Sequence, residues 1–110
     1  MEVILDLDVP LSEDIRLIKR LYKTDDSKAF PEGLMFALQY LWRQEGRWIE
    51  VARIDNYKHD ENRTGVHIHK FGNGFVEFRE MSFEEAEQYI IMLGEKIRQD
   101  MLLGGYDGKN

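Results

Sequence analysis

The residues best suited to chemistry are concentrated between positions 53 and 70. All three histidines of the chain lie there, together with an adjacent aspartate and asparagine and four basic side chains. These residues are Arg53, Asp55, Asn56, Lys58, His59, Arg63, His67, His69 and Lys70. An unperturbed imidazole has a pKa of about 6.5, so it can accept and donate protons near neutral pH. The stretch therefore predicts acid–base chemistry, a phosphate site or a metal site.

His67 and His69 are two positions apart in a segment, 66–71, that has the residue pattern of a strand. Side chains two apart on a strand project from the same face, with Cα atoms roughly 6.5–7 Å apart. That geometry can hold one metal ion or one phosphate between the two rings. It also arises on any solvent-facing strand, so two polar surface histidines opposite Val66 and Ile68 are the alternative.

Two imidazoles beside a cation are the groups needed for metal-free RNA cleavage. One takes the proton of the 2′-hydroxyl and the other protonates the leaving oxygen. The predicted catalytic residues are His67, His69, Asp55 (which would orient an imidazole) and His59. The side chains predicted to contact the substrate are Arg53, Asn56, Tyr57, Lys58 and Lys70. For Asp55 and Asn56, ordinary turn chemistry at a strand end is the alternative, because both bond readily to nearby backbone.

Composition limits the class of protein. A chain of 110 residues forms one small domain, and 43% hydrophobic with 33% charged residues is typical of a globular protein. The absence of cysteine excludes disulfides, thiolate chemistry and cysteine-based zinc sites. The net charge of −6 opposes nonspecific nucleic-acid binding, although positions 53–70 carry four basic against three acidic residues. We predict no cofactor.

The chain has neither a membrane-spanning pattern nor a secretory leader pattern. No apolar run approaches the roughly 20 residues that cross a bilayer. The first residues begin acidic, without the basic and then apolar order of a signal peptide. We therefore expect a cytoplasmic protein with no membrane partner.

The N-terminal third gives the least certain pattern. Val3, Leu5, Leu7 and Val9 alternate with polar residues, which predicts a strand with one buried face that ends at Pro10. From Ser12 to Tyr22 the spacing of apolar residues favours a short helix capped by Ser12. Strand alternation through Ile15, Leu17 and Leu21 competes with that interpretation, and Lys19 interrupts it.

The remaining elements predict an antiparallel sheet followed by a helix. Two β-prone runs, 34–43 and 48–54, flank a polar turn at 44–47 and indicate a hairpin. Strands at 66–71 and 75–79 follow, joined by a glycine-rich turn. Ser82 and Glu85 then form a capping box, after which an apolar stripe recurs every three or four residues. The stripe consists of Phe83, Ala86, Ile90, Leu93, Ile97 and Met101. The fold class is therefore α+β, in one domain, with the long C-terminal helix on one face of the sheet.

The order of these parts resembles the TumE-like toxins of prokaryotic toxin–antitoxin loci. The matching motifs are Arg53-Ile54-Asp55-Asn56 at a strand end, His67-Ile68-His69, and Ser82-Phe83-Glu84-Glu85-Ala86 opening the last helix. The resemblance covers Leu34 to Ile97. It implies a growth-inhibiting toxin that acts on RNA and is neutralised by a cognate antitoxin, with Asp55, Asn56, His67 and His69 as the matching site positions.

Two other classes of function fit the same residues. One is a non-enzymatic module that forms a homodimer through its sheet face and binds a protein partner. Exposed Trp42 or Trp48 together with scattered histidines would favour it. Tyr40, Trp42, Trp48 and Tyr57 would stack bases in an RNA-binding protein, but aromatic residues on strands are more often core or interface. The other class is a small metal-binding protein.

Overall fold

The computed structural model describes residues 1–30, 32–57 and 65–106. Within these ranges, six strands precede one helix, and each strand pairs antiparallel with the next one along the chain. The elements are β1 (Glu2–Ser12), β2 (Ile15–Lys23), β3 (Leu34–Gln44), β4 (Arg47–Asp55), β5 (His67–Lys70), β6 (Glu77–Phe78) and α1 (Phe83–Leu102). The predicted α+β class, with an antiparallel sheet and a C-terminal helix packed on it, is confirmed.

The β3–β4 hairpin is confirmed, with a turn of two residues. Glu45 and Gly46 both have positive φ, 51° and 76°, the combination that a tight hairpin turn of the mirror-image type requires. In the hairpin, Leu38 lies opposite Ile54 and Tyr40 opposite Ala52, all four of them buried. These two strands form the centre of the sheet.

The predicted helix between Ser12 and Tyr22 is wrong, because this segment contains strand β2. Ile15, Leu17 and Leu21 point to the face that α1 covers, as strand alternation requires. Lys19 interrupts that apolar row, but its Nζ lies 2.6 Å from Oε2 of Glu87 on α1. The cation in the apolar row forms an ion pair with a carboxylate on the helix. The local sequence pattern does not reveal this pair.

Strand β1 differs from its prediction in length and in burial. It continues through Pro10 to Ser12, and proline is tolerated there because β1 is an edge strand with no neighbour on its outer side in the described part of the chain. The expected buried face is wrong: Leu5 and Val9 are half-buried, whereas Val3 and Leu7 are exposed. The cause is that α1 packs mainly on β3 and β4, away from this edge.

Helix α1 begins and packs as its sequence predicts. Ser82 Oγ accepts the amide of Glu85 at 3.1 Å, and Glu85 Oε1 accepts the amide of Ser82 at 3.0 Å. Ala86, Ile90, Leu93 and Ile97 are buried against the sheet, while Phe83 and Met101 are half-buried at the ends of the stripe. The helix covers one face only. We call the other face, which α1 does not cover, the open face.

Tyr40 connects the sheet to the helix and makes stability depend on pH. Its buried hydroxyl donates to Oε2 of Glu95 at 2.8 Å, and burial together with that carboxylate raises the pKa of Tyr40 to about 12. A tyrosine in the unfolded chain ionises near pH 10. The contribution of the Tyr40 hydroxyl to the free energy of unfolding is therefore fully present below pH 10 and is lost as the pH rises to 12. Two pKa units correspond to about 2–3 kcal/mol.

We therefore predict that the stability advantage of the wild type over Tyr40→Phe shrinks above pH 10. Urea unfolding of both proteins between pH 8 and pH 11 measures it, since the other titrating groups are common to both. Parallel curves for the two proteins would show that Tyr40 ionises equally in the folded and unfolded states.

Candidate functional site

The strand register brings the predicted site residues onto the open face. Across β4 and β5, Arg53 lies opposite His69, and Asp55 lies opposite His67. Their intervening neighbour Ile54 points to the helix side and is fully buried. Arg53, Asp55, His67 and His69 thus form one group, here called the Asp55 cluster, on the side of the sheet without the helix.

The carboxylate of Asp55 is the centre of this cluster. Oδ2 lies 3.1 Å from Arg53 Nε and 3.3 Å from His69 Nε2. Oδ1 accepts the amide of Tyr57 at 3.0 Å and lies 3.6 Å from His67 Nδ1. The residue is only 2% exposed. A buried carboxylate is stabilised by such contacts, so Asp55 is well suited to orient its neighbours.

His67 is fully buried, so it is not one of two surface histidines. Its Nδ1 lies 3.1 Å from the backbone oxygen of Asp55, which can only accept, so this nitrogen carries a proton. The ring of Phe78 packs edge-on against it at 4.6 Å between centroids. The predicted acid–base role of His67 remains a prediction.

His69 is the histidine of the pair that reaches solvent, with 19% of its side chain exposed. Its Nε2 lies 3.3 Å from an Asp55 oxygen and 3.4 Å from Arg53 Nη2. The carboxylate can accept a hydrogen bond and the guanidinium can donate one. When Nε2 carries a proton it can donate to the Asp55 carboxylate, and that contact would orient the ring for proton transfer.

Arg53 joins the cluster to a second acidic residue. Its Nη1 lies 3.8 Å from Glu50, which also accepts a hydrogen bond from Gln39 Nε2 at 2.8 Å. The guanidinium thus lies between two carboxylates and an imidazole and keeps about a third of its side chain exposed. A guanidinium has five N–H groups, so it can contact a phosphate while it keeps its bond to Asp55.

Asn56 and Tyr57 have different environments. The Asn56 side chain accepts the Phe36 amide at 2.8 Å and donates to the Leu34 oxygen at 2.9 Å, so both ends are bonded to the β3 backbone. This amide fixes the end of the hairpin. Tyr57 is half-buried beside Tyr22. The pKa of its phenol is raised, mainly by burial and to a smaller extent by Tyr22.

The structure separates Lys70 from the other predicted site residues. Lys70 lies opposite Ala52 and lines a cavity with Leu93, Lys96 and Ile97, on the helix side of the sheet. Lys70 therefore lies apart from the Asp55 cluster, because residues 69 and 70 point to opposite faces, and its predicted contact with substrate stays a prediction. His59 and Lys58 lie outside the described residues.

Comparison with known proteins gives no further guide. No protein family, curated protein or solved structure matches the chain. The resemblance to TumE-like toxins stays a prediction.

Among the described residues, no helix is long and apolar enough to cross a membrane. In the same ranges, no group of three or more histidine and carboxylate side chains could hold a metal ion.

Sequence analysis missed a cationic residue on the open face. Arg20 lies opposite Ala37, which in turn lies opposite Asp55, so all three share one row across the sheet. The wrong helix assignment gave Arg20 no defined position relative to the site. The competing alternation through Ile15, Leu17 and Leu21 was the signal that could have located it.

Proposed function

We propose that this chain is a toxin-like ribonuclease that cleaves RNA by metal-independent phosphoryl transfer on its open face. The supporting observation is that one buried carboxylate contacts Arg53, His67 and His69, with His69 at the solvent. A general base and a phosphate-binding cation side by side are the minimum requirement for this reaction.

In the proposed reaction, the imidazole of His69 takes the proton of the ribose 2′-hydroxyl, while its Nε2–H faces the Asp55 carboxylate. The 2′-oxygen then bonds to phosphorus while the bond from phosphorus to the 5′-oxygen breaks, which leaves a 2′,3′-cyclic phosphate. The leaving 5′-oxygen takes a proton from solvent. Asp55 stabilises the imidazolium, and Arg53 stabilises the charge that builds on the phosphate oxygens. His67 holds Asp55 in place.

The biological setting follows from the resemblance. A ribonuclease of this kind would act in the cytoplasm, inhibit growth and be neutralised by a cognate antitoxin protein. The alternative of a homodimeric interaction module has less support, because Trp42 is buried in the core and the histidines are grouped, not scattered. Trp48 is half-buried with the guanidinium of Arg16 4.5 Å above its ring.

His69→Ala provides the direct test. We expect the rate of cleavage of a labelled single-stranded RNA to fall about a hundredfold or more, the usual contribution of a positioned base. Wild-type cleavage should persist in EDTA. Far-UV circular dichroism and the unfolding midpoint should hardly change, because the ring is at the edge of the cluster.

Gln39→Ala is the matched control, since Gln39 lies opposite Arg53 in the same row of the open face. It should retain cleavage within a few-fold. Equal activities in the two variants would place the chemistry elsewhere. A wild-type protein that cleaves no RNA would refute the proposed activity.

A further inference from the structure

Two arginines on β2 have the same exposure and similar ion pairs but lie at different distances from the Asp55 cluster. Arg16 and Arg20 both project from the open face, each with 44% of its side chain exposed. Each is paired with an aspartate of β1: Arg16 with Asp8 at 3.4 Å, Arg20 with Asp6 at 3.5 Å. Arg20 lies in the same row across the sheet as Asp55. Arg16 lies four residues away along β2, and its guanidinium is over the ring of Trp48.

Two tyrosines lie beside Arg20. Tyr22 is two residues further along β2 and on the same face. It lies beside Tyr57, whose phenol pKa it helps to raise, and the amide of Tyr57 is held by Asp55 Oδ1. Both rings are half-buried. Partly exposed aromatic rings beside a cation are the usual means of binding single-stranded nucleic acid, because bases stack on the rings and the cation contacts the backbone.

Ala37 lies between Arg20 and Asp55 in the row. Its methyl group is only 5% exposed, so larger neighbours cover it. Two strand spacings of about 4.8 Å and two residues of about 3.4 Å put the Cα atoms of Arg20 and Arg53 roughly 12 Å apart. Their guanidinium groups also point apart, since Arg20 is drawn towards Asp6 on β1 and Arg53 towards Asp55 and His69. They are placed to meet two different phosphates.

We propose that Arg20, Tyr22 and Tyr57 form a second nucleotide-binding subsite, so that the substrate is a single-stranded RNA lying across the strands of the open face. This inference rests on the proposed function and extends it. Arg53 holds the phosphate that reacts, and Arg20 holds a neighbouring phosphate in place of its weak contact with Asp6. The tyrosine rings stack on the base between them.

Binding can be tested apart from cleavage in a His69→Ala background. The probe is a fluorescein-labelled single-stranded RNA 12-mer, followed by anisotropy between 50 and 300 mM salt. We expect Arg20→Ala to weaken binding about tenfold and to reduce the slope of log K against log salt by about 0.7, the value for one phosphate on a single strand. Arg16→Ala, the matched control, should change neither quantity comparably.

Cleavage adds a test of length. With His69 intact, Arg20→Ala should lower kcat/KM on the 12-mer about tenfold and leave cleavage of a dinucleoside phosphate unchanged, since that substrate has a single phosphate. Equal losses from Arg20→Ala and Arg16→Ala, or equal losses on both substrates, would overturn the subsite.

The outcomes separate this inference from the proposed function. A wild-type protein that binds the 12-mer but cleaves nothing refutes the ribonuclease activity, and the comparison of Arg20→Ala with Arg16→Ala still decides the subsite. A protein that binds no single-stranded RNA at 50 mM salt refutes both.

Discussion

Gly94→Ala should lower the free energy of unfolding by about 2 kcal/mol or more, although alanine favours helices. A Cβ at position 94 would lie 2.3–2.6 Å from three ring carbons of Tyr40, far inside van der Waals contact. The ring cannot move away easily, because it is buried under α1 and its hydroxyl is bonded to Glu95. At distances this short we expect overpacking to cost about 3 kcal/mol or more, the upper end of its usual range, and the gain of about 1 kcal/mol in helix propensity offsets only part of it.

Urea unfolding measures this loss, and Gly74→Ala serves as the control. A Cβ at Gly74 would meet nothing within 4 Å, so that variant should stay within about 0.5 kcal/mol of wild type. A double-mutant cycle with Tyr40→Ala locates the cause, because the cost of Gly94→Ala should disappear once the ring is removed. An unchanged cost without the ring would mean that the clash with Tyr40 is not the reason.

The elements that could be predicted are those whose local pattern and tertiary role agree. Helix α1 has its capping box and its apolar stripe in the sequence, and the β3–β4 hairpin has β-prone runs and a turn containing glycine. Strand β2 could not be predicted with the same security, because Lys19 occupies a position that an apolar residue would normally fill. Its partner Glu87 is 68 residues away, and such a pair becomes apparent only when the helix is placed on the sheet.

The site shows the same division. The spacing of two residues was enough to put His67 with His69 and Arg53 with Asp55 on shared faces. It could not indicate that His67 is completely buried while His69 is partly exposed, because burial depends on what packs above each ring. Phe78, from a strand of only two residues, is one group that packs there. The sequence was therefore largely enough to predict which residues group together, whereas the burial of each one could be seen only in the structure.

The Asp55→Asn variant should lose most activity and some stability, because one carboxylate orients His69 and pairs with Arg53. The amide keeps the shape but removes the charge that stabilises an imidazolium, so we expect kcat for RNA cleavage to fall at least about a hundredfold. KM should change much less, since Arg53 still offers a cation to phosphate. The free energy of unfolding should fall by about 2–3 kcal/mol, because a largely buried charged contact is lost while Glu50 remains near Arg53.

Asp8→Asn is the control for Asp55→Asn, because it removes an exposed carboxylate paired with an arginine on the same face. It should cost less than about 1 kcal/mol and leave kcat unchanged. Kinetics are measured well below the unfolding midpoint of each variant, so that the loss of kcat is separated from unfolding.

Asp55→Glu retains the charge and should recover stability more than kcat, since a carboxylate displaced by one methylene no longer orients His69. A folded Asp55→Asn protein with near wild-type kcat would remove the cluster from the mechanism.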